Sequence, residues 1–83
     1  MPPITPTTAA IKAANARLRP TTRSVKAHPL VREISVESDG VWIYLLDGWC
    51  DPATDANAIS EDTLAEAIEN LKGAYFDATT LDA

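Results

Sequence analysis

A chain of 83 residues with 46% hydrophobic and 23% charged residues has the composition of one small folded domain, and excludes a disordered or low-complexity chain. One cysteine excludes an intramolecular disulfide framework, so a reducing compartment is the simplest home. The formal charge of -5 is unevenly spread: residues 1–32 hold six cations and no acid, whereas residues 33–83 hold twelve acids and only Lys72. Such an asymmetry suits a basic arm, an acidic face for a basic partner, or mutual attraction of the two halves within the fold, the reading favoured from counts alone.

The start, Met1-Pro2-Pro3-Ile4, has no basic and apolar leader pattern and no later run is long enough to cross a bilayer, so a cytoplasmic protein is expected. Residues 1–4 and 77–83 are read as flexible ends of a single domain, 1–83. Thr5 is expected to cap a first helix with Pro6 at its first position, the Ala-rich segment from Thr7 to Arg19 carrying it to Pro20. Ile4, Ile11 and Leu18, with Ala14, make a narrow stripe that docks lightly; Lys12 and Arg19 lie off it. Residues 20–29, bracketed by prolines, read as a linker carrying Arg23, Lys26 and His28.

From Val31 to Ser38 the pattern becomes that of a strand, and Asp39-Gly40 is a strong hairpin signal before the apolar run Val41-Trp42-Ile43-Tyr44-Leu45-Leu46. A turn at Asp39-Gly40 would set Val36 opposite Ile43, Ile34 opposite Leu45 and Arg32 opposite Asp47 on a core face. The other face would hold Trp42, Tyr44 and Leu46 across from Glu37, Ser35 and Glu33. A half-solvated antiparallel strand alternates apolar with polar, and this one does not. Both of its faces therefore call for a cover: the C-terminal helix on one, and on the other the N-terminal helix, a second copy of the chain or a binding partner.

Gly48-Trp49-Cys50 would prolong this strand, and Ala56 to Ile59 would add a short third one. The last helix is expected to start at an N-cap Ser60, with Ile59 and Leu64 as a hydrophobic staple, and to stop at Gly73 as C′ residue. Its buried stripe is Leu64, Ala67, Ile68, Leu71 and Tyr75, and its outer ridge Asp62, Glu66 and Glu69. The fold class is α+β: helix, antiparallel hairpin with a short third strand, helix.

No residue pattern indicates an enzyme, a cofactor or a metal. Cys50, His28 and Asp51 could come together, but no Gly-rich loop or helix start is placed to supply oxyanion donors. The set His28, Cys50, Asp51 and Asp55 falls short of structural zinc. A calcium loop over Asp51 to Asp62 fails at Ala53, Ala56 and Asp62. The order of elements is similar to that of double-stranded RNA-binding domains, yet Ser60-Glu61-Asp62-Thr63 stands where those domains carry basic residues.

Through His28-Pro29-Leu30-Val31, Asp39-Gly40-Val41-Trp42-Ile43-Tyr44-Leu45, Gly48-Trp49 and Ile59-Ser60-Glu61-Asp62-Thr63-Leu64, the chain resembles short uncharacterised proteins of bacteriophages and prophages. The resemblance spans residues 20–72 and implies a host cytoplasm and an inhibitor that occupies a host protein, as anti-CRISPR and other anti-defence proteins do. The expected function is that of a non-enzymatic interaction protein, binding itself as a homodimer or a host protein. Its partner-binding residues are expected to be Trp42, Tyr44, Leu46 and Trp49, with Asp62, Glu66 and Glu69 on the acidic helix. The alternative is nucleic-acid contact through Lys12, Arg17, Arg19, Arg23 and Lys26.

Overall fold

A computed structural model describes residues 6–82. In chain order the elements are α1 (Thr8–Arg17), α2 (Thr22–Lys26), β1 (Val31–Glu37), β2 (Gly40–Leu45), β3 (Trp49–Cys50), β4 (Ala58–Glu61), α3 (Leu64–Lys72), β5 (Tyr75–Phe76) and a 3-10 turn over Ala78–Asp82. The class is α+β, as the hydrophobic pattern requires.

The main sheet is antiparallel throughout, in the order β1-β2-β4, so the apolar strand β2 lies in the middle with both edges hydrogen-bonded. Glu37 pairs with Gly40, which makes Ser38-Asp39 the turn and places Gly40 inside the strand. Val36 therefore faces Val41, and Ile34 faces Ile43, two residues away from the register that a turn at Asp39-Gly40 would give. The physical reason lies in what fills the space at Gly40. A Cβ there would stand 3.2 Å from the Glu61 carbonyl oxygen and 3.3 Å from the indole of Trp42, so the glycine serves close approach rather than turn geometry. A shift of two leaves Ile34, Val36, Val41, Ile43, Trp42 and Tyr44 on their expected faces. The expected Arg32 to Asp47 pair does not form: in the shifted register the ladder ends at Val31 opposite Leu45, short of Asp47, and a bulge between Val31 and Glu33 also takes Arg32 out of it.

The core lies on one side of this sheet. Val41, Ile43 and Leu45 from β2 and Ile59 from β4 meet Val25 of α2, Leu30, and Ala67, Ile68 and Leu71 of α3. Val36, on the same side but near the hairpin end of the outer strand, is 52% exposed, because the helical cover thins there. Of the expected α3 stripe, Ala67, Ile68 and Leu71 are buried and Leu64 is half-buried, while Tyr75 has left the helix for β5. The cap of α3 is Thr63, whose Oγ1 accepts the Glu66 N–H at 3.2 Å, and not Ser60. Ser60 is drawn into β4 opposite Trp42, so pairing with the central strand overrides the cap signal and removes the proposed staple. Gly73 is the C-cap at φ -97°, packed 3.1 Å from Pro52 as judged at a Cβ position, so it closes the helix without a left-handed turn.

The first helix begins two residues late. Thr7 is its cap, with Oγ1 accepting from Ala10 N–H at 3.1 Å; Pro6 precedes the helix and Thr5 and Ile4 lie outside the described residues. No residue of α1 is fully buried, and Ile11 with the following Leu18 rest against the core from outside. The stretch 20–29 is only partly a linker. Thr21 caps α2, and Val25, its one apolar residue, is fully buried. A five-residue helix is too short to announce itself by periodicity.

Trp49-Cys50 does not prolong β2. The chain turns at Asp47-Gly48, with Gly48 at φ +89°, and β3 pairs instead with β5 as a separate two-stranded ribbon. The stretch Asp77 to Thr79 is tied down: the Asp77 N–H donates to the Gly48 carbonyl at 2.7 Å, and the Asp77 carboxylate accepts from the Thr79 N–H and hydroxyl. No helix is long and apolar enough to cross a membrane among the described residues.

Candidate functional site

The helices pack on the side of the sheet that carries Val41, Ile43, Leu45 and Ile59, and the alternation of strands sends the intervening residues to the other side. There Trp42 and Tyr44 stand on the central strand. Ser35 and Ser60 flank Trp42 on its two neighbours, and Glu33 and Ala58 flank Tyr44. Glu37, opposite Gly40, completes this face. Both rings are half-buried: the indole lies along Gly40, and the small residues beside it leave part of it open to water. No Lys or Arg stands in register on this face, so its formal charge is set by Glu33 and Glu37, both exposed.

The remaining residues expected at this site are distributed elsewhere. Leu46 follows β2, half-buried, where its N–H donates to the Leu30 carbonyl and its own carbonyl accepts from the Asn57 side chain at 2.9 Å. Trp49 belongs to the ribbon and not to the sheet face. Its ring meets that of Phe76 at 5.6 Å between centroids, tilted by 60°, and rests on the core edge. Asp62 precedes α3 rather than joining its ridge, and Glu66 and Glu69 are exposed on the helix. Glu69 pairs with Lys72 at 3.6 Å, a contact between two exposed side chains of small energetic weight.

That contact is the one ion pair among the described residues, and it lies wholly within the acidic half. Among the described residues the basic and acidic halves are therefore not joined by ion pairs of 4 Å or less. Lys12, Arg17, Arg19, Arg23 and Lys26 are all exposed. Beside them, a cavity of about 280 Å³ is lined by Ala14, Arg17, Ser24, Ala27 and His28.

His28, Cys50 and Asp51 are buried, and each is committed to separate partners. The His28 Nδ1 accepts the Leu30 N–H at 3.2 Å, which makes Nε2 the protonated nitrogen that donates to Asn15 Oδ1 at 2.7 Å. Burial pushes the His28 pKa below its ordinary value. The Cys50 thiol points to the Gly48 carbonyl; burial first, then the Asp77 and Asp55 carboxylates, push its pKa up. A thiol held protonated is a poor nucleophile. Asp51 accepts from the Ala53 N–H and the Thr54 hydroxyl within its own turn. The next acid, Asp55, sits at φ +63° and accepts from the Tyr75 hydroxyl, which pushes the phenol up to about 12. No three His, Cys, Asp or Glu residues gather as a metal site among the described residues.

Sequence reasoning missed Tyr75 and Phe76, the latter 45% exposed, as the partners of Trp49 and Cys50. The available signal was two aromatic residues just after Gly73, where a helix has been stopped. No family model, curated protein or solved structure matches this chain.

Proposed function

We propose that this chain is a small non-enzymatic interaction protein, and that the sheet face holding Trp42 and Tyr44 docks a protein partner. One observation carries the reading: the helices all cover the same side of a three-stranded sheet, while the other side presents two adjacent aromatic rings on its central strand. Aromatic side chains at the centre of a patch dominate interface energy once water is excluded from them. The protonated Cys50 thiol and the fully engaged His28 support a role outside catalysis. In the bacteriophage setting that the sequence resemblance implies, the partner is a host protein in the cytoplasm, which the chain inhibits by occupying it.

The test is co-purification of the tagged protein from host cells, compared with a Trp42→Ser/Tyr44→Ser variant whose folding is checked by circular dichroism. A partner retained by the parent and lost from the folded variant supports the reading. A partner retained equally by both would overturn it.

The exposed cations of α1, α2 and the segment between them support a second reading, contact with a nucleic-acid backbone. It predicts retardation of DNA or RNA that weakens steeply with salt and on Arg17→Ala/Arg23→Ala. No retardation at low salt would end it.

A further inference from the structure

We infer that the occupant of the Trp42 and Tyr44 face is a cationic protein segment, one that lays arginine or lysine side chains across the two rings, an inference that rests on this face being a docking surface. The rings belong to residues two apart on one strand, so their centres are separated along it by about 7 Å, the spacing at which alternate side chains of an extended segment recur. Each ring has a carboxylate on the β1 side, Glu33 across from Tyr44 and Glu37 one pair beyond Trp42. On the β4 side only Ala58 and Ser60 stand beside them, too short to obstruct a ligand. A ring face with a carboxylate at its margin attracts a guanidinium or ammonium group twice, through the ring quadrupole and through the ion pair.

The same charges argue against the simplest alternative, a two-fold dimer in which this face packs on its own copy. A two-fold running across the strands would set Glu33 and Glu37 of one molecule against Glu33 and Glu37 of the other, and one running along the strands would set them over Ala58 and Ser60, so neither packing brings a Lys or Arg in register to offset them. An anionic partner such as nucleic acid would be repelled in the same way. Within the molecule no cation is spent on these acids, since the described residues contain no ion pair to Glu33 or Glu37. The face thus joins two half-buried rings to two carboxylates that no cation pairs with among the described residues.

The probes are three capped hexapeptides alternating leucine with arginine, glutamine or glutamate, titrated into the isotopically labelled full chain while the Trp42 indole N–H resonance is followed. That resonance is assigned by its loss in Trp42→Phe. The expected result is a saturable shift with the arginine peptide only, weakened about tenfold by Glu33→Gln/Glu37→Gln and unchanged by Glu66→Gln/Glu69→Gln on α3. If all three peptides shift Trp42 alike, the face is a docking surface and the requirement for a cation is overturned. If the arginine peptide acts on α3 and Glu66→Gln/Glu69→Gln abolishes it, the acidic helix is the cation site and the inference fails. If no peptide shifts Trp42, both the inference and the docking reading beneath it fail.

Discussion

The two sides of β2 are built from residues that alternate in one short segment, yet they solve different problems. Val41, Ile43 and Leu45 are buried against three helices, so their contribution is to stability. Trp42 and Tyr44 interleave with them and are only half-buried, so a part of their apolar surface still meets water. The difference teaches that an uninterrupted apolar run need not mean a doubly covered strand. In this chain it marks one side closed off by the helices and another whose rings stay partly in contact with water.

The largest effect that would sharpen this contrast is Ile43→Ala. It leaves a cavity at the centre of the core and should cost about 2 to 5 kcal/mol, measured by urea unfolding. Trp42→Thr keeps strand propensity and removes more atoms, yet should cost less, about 1 to 2 kcal/mol, because the indole is already partly in water. A larger loss for Trp42→Thr than for Ile43→Ala would break the division of labour between the sides.

The next effect concerns the basic end of the molecule. With no fully buried residue, α1 is held by Ile11, Leu18 and the Asn15 to His28 hydrogen bond, and Asn15→Ala should cost about 1 kcal/mol. The same pair gives a pH dependence with a definite sign. The folded-state pKa of His28 lies below its ordinary 6.5, so the unfolded chain binds a proton that the folded chain refuses. Stability attributable to His28 is complete above pH 6.5 and is lost as the pH falls below it. Protonation would also turn Nδ1 into a donor facing the Leu30 N–H. The part of an acid-unfolding profile that begins near pH 6.5 should therefore flatten in His28→Gln. The smallest stability effect, within about 0.5 kcal/mol, is expected for Glu37→Gln, which touches only the exposed side.

Much of this arrangement was legible in the chain. The division of Val41, Ile43 and Leu45 from Trp42 and Tyr44 follows from period-two alternation, and survived a register error because that error was even-numbered. The stripe Ala67, Ile68 and Leu71 was equally plain, being helical spacing on one amphipathic segment. What escaped was decided by contacts distant in sequence. Ser60 looks like a helix cap in isolation, and Thr63 with Glu66 three residues later looks like one too; only pairing of β4 with β2 chooses between them. Gly40 suggests a turn until the Trp42 ring and the Glu61 backbone are placed where its side chain would be. Trp49 reads as a continuation of the strand because its partner, Phe76, comes from the far end of the chain.

The outer rims of the main sheet carry a further consequence. On one side the irregularity at Arg32 and the charges of Glu33 and Glu37 interrupt the rim; on the other, the bordering strand is only four residues long and ends in Ser60-Glu61. Neither border offers a long, flat, uncharged template on which a neighbouring chain could add itself strand by strand. The molecule can therefore leave part of two aromatic rings open to water while its sheet borders resist growth into fibrils.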